Sequence, residues 1–160
     1  NNSEKMVKRR QWRKEIESGS VTQFQSYMEC LLIDGNNVMG RRPNGISKAE
    51  LIEKMEEYTK NIEKNDSDIF LVFDSRGRAS IDERERFEVW FCGRGEISDD
   101  VIVHYIGQNS HLRSNKTVVV TSDLELSMRV VRLGVSCMAS EVFYQLLAPG
   151  APPTNKRIHY

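Results

Sequence analysis

The stretch LLIDGNNVMG, residues 31–40, decides how the rest of the sequence is interpreted. Three apolar residues lead into an acid, Asp34, and the chain then continues through Gly35, Asn36 and Asn37, which are residue types that favour tight turns. A buried strand therefore ends by presenting a carboxylate to a turn. Either this carboxylate caps the turn, or it belongs to a site whose remaining residues lie elsewhere in the chain.

Length and composition predict a single globular domain. The chain has 160 residues, of which 39% are hydrophobic and 29% are charged. A domain of this size buries about two thirds of its unfolded surface. No apolar run approaches the roughly 20 residues of a transmembrane helix, so we expect no membrane contact. Since 23 basic residues balance 23 acidic residues, any nucleic-acid-binding surface must be a local patch.

The three cysteines predict a reducing environment. Cys30, Cys92 and Cys137 are odd in number, widely spaced and set in apolar segments, which favours buried, unpaired thiols over a disulfide or zinc framework. We therefore expect an intracellular compartment, either the cytoplasm or an organelle such as a mitochondrion or plastid. The chain begins with Asn1, so we also expect a fragment or processed product, from which a targeting segment would have been lost.

The sequence divides into three segments. Residues 1–29 contain KMVKRRQWRKEIE and predict a basic, partly helical extension, which is either solvated or an arm that touches phosphate or a partner. Residues 30–148 alternate between strand and helix patterns and predict the folded domain. Residues 149–160 contain APGAPPTNK and predict an irregular tail.

Strands and helices alternate in the central segment as β-α-β-β-α-β-α. This order predicts an α/β fold with a central parallel sheet of about five strands flanked by helices. The predicted strands are CLLID (30–34), IFLVFD (69–74), FEVWFC (87–92), TVVVTSD (117–123) and VSCMA (135–139). The first predicted helix begins at a Ser47–Glu50 capping box and has an apolar stripe of Leu51, Ile52, Met55, Tyr58 and Ile62. The other predicted helices are SDDVIVHYIG (98–107), LELSMRVVRLG (124–134, ending at Gly134) and EVFYQLLA (141–148).

Acids follow the predicted strands. Asp34, Asp74 and Asp123 come at or after strand ends, and Asp99 and Asp100 open the helix after the third strand. Ligand sites in open parallel sheets lie beyond the carboxyl ends of the strands. Any one acid could be a helix cap, but several carboxylates gathered at one edge repel each other unless a cation neutralises them. A hard ion such as Mg²⁺ suits this oxygen-only set, and the lack of paired His or Cys nearby argues against zinc.

The segments LLIDGNNVMG, IFLVFDSRG, GEISDDVIVHYI and TVVVTSD, in this order, resemble the NYN branch of the PIN-like nucleases. Within that branch, residues 30–147 are most similar to the YacP-like ribosome-associated endoribonucleases. The resemblance implies a PIN-like three-layer sandwich in which the first and fourth predicted strands are neighbours, so that Asp34 and Asp123 lie side by side. Asn36 stands where members commonly have Tyr, and Ile97–Ser98 where they have Thr-Ala, but the acids are all present.

The resemblance also implies the site and its chemistry. Asp34, Asp99 and Asp123 are expected to be catalytic and to hold Mg²⁺ or Mn²⁺. The residues expected to support them are Asn37, Asp74, Glu96, Asp100 and Ser122. We expect hydrolysis of RNA, with the ribosome or another ribonucleoprotein as a further partner. The alternative is a catalytically weak or inactive module that binds RNA or a ribosome for structural reasons.

Arginines cluster in two places near the predicted strand ends. They are interpreted as RNA-binding residues at the mouth of the site, where guanidinium groups suit phosphate geometry, or else as residues of solvated loops. Phosphate contacts of this kind would give affinity without sequence preference. The residues are Arg41, Arg42, Arg76, Arg78, Arg84 and Arg86.

Overall fold

A six-stranded sheet organises the part of the chain that the computed structural model describes, residues 28–40, 45–61 and 67–148. The strands are β1 Cys30–Asp34, β2 Asp68–Phe73, β3 Ser80–Glu83, β4 Glu88–Phe91, β5 Thr117–Val120 and β6 Ser136–Met138. The helices are α1 Gly35–Met39, α2 Lys48–Lys60, α3 Ser98–Gln108, α4 Leu124–Arg132 and α5 Ser140–Leu147, with a 3-10 turn at Ser110–Leu112. The predictions for residues 1–27, Arg41, Arg42, Ile62 and the tail 149–160 lie outside the described residues.

The strand order is β3-β4-β2-β1-β5-β6, and every neighbouring pair is parallel except β3 with β4. Strand β1 is buried along its whole length and lies between β2 and β5. Continuous apolar strands of this kind are typical of parallel sheets that are covered on both faces. The predicted α/β class with a central, mainly parallel sheet is therefore confirmed, with β1 and β5 adjacent as the resemblance implied.

Strand β3 has no counterpart among the predicted strands, which leave the segment between β2 and β4 as a loop. It pairs antiparallel with β4, with Ile81 opposite Trp90 and Glu83 opposite Glu88. The four residues of β3 are mostly exposed and three of them are polar. Short, charged edge strands of this kind lack the apolar pattern that identifies strands in sequence, and they protect a sheet edge from pairing with another chain.

Helices cover both faces of the sheet. Leu31 and Ile33 of β1 face one layer, where they belong to the core that contains Leu51 of α2 and Phe143 of α5. Leu32 points to the opposite face, as the alternation of a strand requires. There it belongs to the second core, whose helical members are Ile102 and Ile106 of α3 and Leu126 and Val130 of α4. The predicted three-layer sandwich is confirmed.

Two predicted helix ends are confirmed in detail. The Ser47 hydroxyl oxygen accepts a hydrogen bond from the Glu50 amide at 3.1 Å, so Ser47 is the N-cap of α2. Helix α4 ends at Arg132, and the predicted Gly134, with a φ of 89°, is the left-handed residue directly after its C-cap. Its amide donates to the Val131 carbonyl at 3.0 Å and the next amide, of Val135, donates to Val130 at 3.5 Å, which is the Schellman pattern.

None of the three cysteines forms a disulfide, but they are not equally buried. Cys30 and Cys92 are buried, whereas Cys137 is only partly so. The expectation of full burial was wrong for Cys137 because β6 is the last strand of the sheet and is covered less completely. Within the described ranges, no helix is long and apolar enough to cross a membrane.

Candidate active site at the carboxyl edge of the sheet

The carboxyl ends of β1, β2 and β5 meet at one edge of the sheet, because these three strands are parallel and adjacent. Asp34 is the last residue of β1, Asp74 follows β2, and Asp123 lies three residues after β5. Asp99 reaches the same edge from the first turn of α3, and its charge interacts with those of the other three. The four carboxylates that the sequence placed at strand and helix ends are therefore brought together.

Asp34 is the most deeply buried acid of this group, with 3% of its surface exposed. One carboxylate oxygen accepts a hydrogen bond from the Thr121 hydroxyl at 2.8 Å, and the other accepts from the Asn37 amide at 3.4 Å. Burial raises the pKa of Asp34 above its ordinary value, and these two hydrogen bonds oppose the rise. Asp34 thus caps α1 and also belongs to the carboxylate group, so the two interpretations of its role are compatible.

The pKa of Asp99 is raised to about 6. Burial is the main cause, followed by repulsion from Asp34, Asp123 and Asp74, while the Arg129 guanidinium opposes the rise. Burial and the neighbouring carboxylates both disfavour the ionised form of Asp99. The sequence interpretation missed Arg129, because arginines were sought in loops rather than on the helix that follows Asp123.

Asp123 also combines two functions. One of its carboxylate oxygens accepts from the Leu126 amide at 2.9 Å, so it is the N-cap of α4. Its own amide donates to the Thr121 hydroxyl oxygen at 3.1 Å, and that hydroxyl in turn donates to Asp34. The buried Thr121 therefore links the ends of β1 and β5. In the sequence, only the position of Thr121 between β5 and Asp123 indicates that it links these two strand ends.

Asp74 holds the start of α3. The residue before that helix, Ile97, has no side chain that could cap it, and an Asp74 oxygen accepts from the Ser98 amide at 2.8 Å instead. Ser98 precedes Asp99 directly, so Asp74 positions the backbone that carries Asp99. An acid supplied by a neighbouring strand replaces the local N-cap, which a search for capping residues along the chain cannot detect.

Asn36 and Asn37, in the first turn of α1, hold the strand ends on either side of β1. The Asn36 side-chain oxygen accepts from the Asp74 amide at 2.8 Å. The Asn37 side-chain oxygen accepts from the Ser122 amide at 2.8 Å and from the Ser140 hydroxyl at 2.6 Å. These bonds join the turn to the ends of β2 and β5 and to the start of α5. Asn37 thus fixes the relative positions of these strand ends. We call the sheet edge that carries Asp34, Asp74, Asp99 and Asp123 the carboxylate edge.

Gly35 is required by close packing in the same turn. A Cβ atom at this position would lie 2.5 Å from a ring carbon of Phe73 and 2.9 Å from the Val72 carbonyl oxygen. Real Cβ atoms do not approach other atoms this closely, so a larger residue would displace β2 or its aromatic side chain. The DGNN sequence therefore supplies a carboxylate, a glycine that allows close packing against β2, and two asparagine side chains that bind the neighbouring strand ends.

Three other predicted supporting residues bind groups around the carboxylates. Glu96 accepts from the Gly93 amide at 2.7 Å and closes the turn before α3. Asp100 forms an ion pair with Arg129 at 2.9 Å, which joins α3 to α4. The third, Ser122, donates to a carboxylate oxygen of Glu141 at 2.7 Å, a residue that the sequence interpretation also missed.

The predicted RNA-binding arginines do not lie together. Arg76 and Arg78 are exposed in the segment between β2 and β3, at the carboxyl edge. Arg84 and Arg86 lie between β3 and β4 at the opposite edge, because β3 runs antiparallel to β4 and carries the chain away from the site. Arg84 is also ion-paired with Asp82 and Glu56. The expectation that all four line the mouth of the site was therefore wrong for Arg84 and Arg86.

The donor chemistry of the carboxylate edge fits a hydrated hard cation. All its potential ligands are oxygens, and Mg²⁺ characteristically takes one or two carboxylates and keeps several waters. Within residues 28–40, 45–61 and 67–148, no group of three or more His, Cys, Asp or Glu is arranged to hold a metal ion directly. What supports a hard cation here is the oxygen-only chemistry of the side chains, with part of the coordination left to water.

Comparison with known proteins identifies a matching domain family and two similar solved structures. Residues 31–158 match the YacP-like NYN domain. The chain is similar to the crystal structure of Rae1 (YacP) from Bacillus subtilis, with a TM-score of 0.59 and 22% identity over 82% of this chain and 78% of that one. A point mutant of the same protein gives a TM-score of 0.57 and 23% identity over 82% and 80% of the two chains.

At this identity the two structures establish the shared fold alone. No curated protein matches the chain. The family match, however, covers well over half of the sequence and includes all four carboxylates of the edge. The protein therefore belongs to the YacP-like NYN domain family, which is related to the nucleases of the PIN-like fold.

Proposed function

We propose that the protein is a divalent-metal-dependent endoribonuclease that hydrolyses RNA phosphodiester bonds, including those of ribosome-bound RNA. One observation carries the proposal: Asp34, Asp74, Asp99 and Asp123 interact at one sheet edge, and the pKa of Asp99 is raised to about 6. Such crowding costs stability and is characteristic of sites that use the charge. Membership of a family related to PIN-like nucleases supports the same chemistry.

In the proposed site, Asp34, Asp99 and Asp123 would hold Mg²⁺ or Mn²⁺, directly or through water. When bound, such an ion supplies an activated water and neutralises charge that develops on the scissile phosphate. Thr121 and the Asn37 amide keep the Asp34 carboxylate oriented. Since Asp99 must lose its proton to act as a ligand, binding should weaken below about pH 6.

RNA would be held by cations around this edge. Arg76 and Arg78 are exposed beside it, and their guanidinium groups would contact phosphates without reading sequence. Arg41, Arg42 and the basic segment 1–29 are further candidates. We propose the ribosome as a partner because of the family resemblance. We propose a reducing compartment because of the three cysteines.

A second function is favoured by the capping contacts. Asp34 and Asp123 each hold a helix start, so part of the acid set has a structural reason to be present. A protein that kept these caps could bind RNA or a ribosome without cleaving it. Cleavage is the stronger proposal, because capping does not explain why Asp99 lies among three other carboxylates.

The test compares cleavage of end-labelled single-stranded RNA and of ribosome-bound message in Mg²⁺, in Mn²⁺ and in EDTA. We expect the wild type to produce internal cuts in either metal and none in EDTA. Asp123→Asn should bind RNA but not cut it. Asparagine is as good an N-cap as aspartate, so this variant keeps the start of α4. If the wild type binds RNA but cuts neither substrate in either metal, the binding function replaces the enzymatic one.

A further inference from the structure

The outer face of α4 carries a row of exposed apolar side chains. Leu124, Met128 and Val131 are 73%, 49% and 45% exposed, and they are three of the five large hydrophobic residues that are exposed within the described ranges. The other two, Ile81 and Ile97, lie on β3 and directly before α3. We call the row on α4 the apolar ridge.

The apolar ridge has the spacing of a helix-packing seam. Its residues are separated by four and then three positions, which places them on one face of the helix and matches the core positions of a coiled coil. The buried side of α4 is formed by Leu126 and Val130, so the ridge residues do not belong to the core that anchors the helix. An apolar row that is additional to the core indicates a contact surface.

Two exposed charges of opposite sign border the ridge. Glu125 lies in the first turn of α4 and Arg132 in the last, seven positions apart, so they stand on one flank of the ridge at its two ends. Among the described residues, neither side chain forms an ion pair. The helix dipole favours an acid at the start and a base at the end, but it does not require both to stand beside the apolar row.

This arrangement of charges is complementary to itself. When two copies of α4 pack antiparallel through their ridges, the two-fold axis keeps the same flanks together and reverses the ends. Glu125 of each copy then faces the partner's Arg132, and the dipoles of the two helices are also opposed. Met128, the middle residue of the ridge, meets the partner's Met128 at the axis. In a parallel pair the charged flanks would lie on opposite sides and would not meet.

We propose that the apolar ridge is a self-association surface, through which two copies of the chain pack α4 against α4 in antiparallel orientation. Because α4 begins directly after Asp123, the pairing also brings the partner's Arg132 to the border of the carboxylate edge, where it opposes the negative charge of that edge. An interface built on three apolar residues per copy is small, so the dimer is weak and reversible. The inference concerns an assembly and does not depend on RNA cleavage.

The test reverses each charge in turn and then mixes the two variants, without RNA or metal. Sedimentation velocity from about 5 to about 500 µM should show a concentration-dependent dimer of the wild type. Glu125→Arg and Arg132→Glu each replace both attractive pairs by repulsive ones, so the dimer Kd of either variant should rise by at least about tenfold. An equimolar mixture should form a heterodimer with a Kd within about threefold of the wild-type value, because both pairs are attractive again.

The mixture separates a lost contact from a lost fold, since two misfolded variants could not restore a dimer. Glu53→Arg is the matched control, because it makes the same charge change on an exposed residue of α2, at the opposite face of the sheet, and it should leave the dimer unchanged. Met128→Cys should give a disulfide-linked dimer when copper phenanthroline oxidises the two thiols, whereas Ile81→Cys should give none.

Three results would overturn the inference. A wild type that stays monomeric over the whole concentration range shows that the ridge does not join copies. A dimer that persists unchanged in both charge variants uses another surface. Loss of the dimer in the single variants without recovery in the mixture shows that the charges do not pair across an antiparallel interface. None of these results alters the proposed nuclease function, which the cleavage assay in Mg²⁺, Mn²⁺ and EDTA tests separately.

Discussion

Replacing Asp99 by Asn should stabilise the metal-free protein, and the gain should depend on pH. The folded-state pKa of Asp99 is about 6, against an ordinary value of 3.8, so the folded protein holds this proton more tightly than the unfolded chain does. The wild type therefore loses stability as the pH rises from about 4 to about 6, and the whole loss is present at pH 7.5. The asparagine side chain of the variant does not ionise, so the variant avoids this loss.

The difference between 3.8 and about 6 would correspond to about 3 kcal/mol at about 1.36 kcal/mol per pH unit. Because the Asp99 side chain is partly exposed, solvent screening reduces the expected gain to about 1–2 kcal/mol. For a chain of this length, that corresponds to a Tm increase of about 3–8 °C. At pH 3.5 the Tm difference should be close to zero, since Asp99 is then protonated in the folded protein and about half protonated in the unfolded chain.

The assay is thermal unfolding, followed by circular dichroism in EDTA at pH values from 3.5 to 7.5. Asp100→Asn is the matched control, because Asp100 is the adjacent residue but forms an exposed ion pair with Arg129. We expect that variant to lose up to about 1 kcal/mol. If Asp99→Asn lowers the Tm at pH 7.5, or shifts it equally at every pH, Asp99 is not held among repelling carboxylates.

Three other predictions concern the metal, the turn and the arginines. Mg²⁺ should raise the Tm of the wild type, because a ligand of the folded state stabilises it, and Asp34→Asn should abolish that rise while changing metal-free stability by less than about 1 kcal/mol. Gly35→Ala should destabilise the protein by about 1–3 kcal/mol in urea unfolding, since its Cβ would lie 2.5 Å from the Phe73 ring. Arg76→Ala with Arg78→Ala should weaken RNA binding and lower the slope of log K against log salt concentration by about 1–2.

The glycine and arginine predictions each have a control within the same chain. Gly107→Ala lies in α3 with no atom within 4 Å of the added Cβ, so it should stabilise by about 0.5–1 kcal/mol. Arg84→Ala with Arg86→Ala lies at the opposite edge of the sheet and should leave the salt slope unchanged. If Asp34→Asn unfolds outright, Asp34 serves as the N-cap of α1 and not as a metal ligand. An equal effect of the two arginine pairs would show that RNA is not bound at the carboxylate edge.

The sheet and the position of the carboxylates could be predicted because they depend on strong local patterns. Fully apolar strands such as IFLVF occur where both faces of a parallel sheet are covered. Once the strands are parallel, the acids that end them must share an edge. Asp34, Asp74 and Asp123 were therefore found without knowledge of tertiary contacts.

The remaining features depend on contacts between segments distant in sequence. Asp74 caps a helix that begins 24 residues later, and Asn37 binds Ser140, which is 103 residues away. Neither bond leaves a local pattern in the sequence. Arg84 and Arg86 were misplaced because the strand that carries the chain to the opposite edge, β3, is short and polar. Thr121 and Arg129 were missed because their roles follow only from the adjacency of β1 with β5 and of α3 with α4.

We propose that the carboxylate edge binds a divalent cation. The most direct measurement is a Mn²⁺ titration at pH 7.5 followed by electron paramagnetic resonance, which distinguishes free from protein-bound Mn²⁺. We predict saturable binding to the wild type, competition by Mg²⁺, weaker binding below about pH 6, and loss of binding in Asp123→Asn and Asp99→Asn. Equal Mn²⁺ uptake by the wild type and both variants, or no uptake by any of them, would contradict the claim.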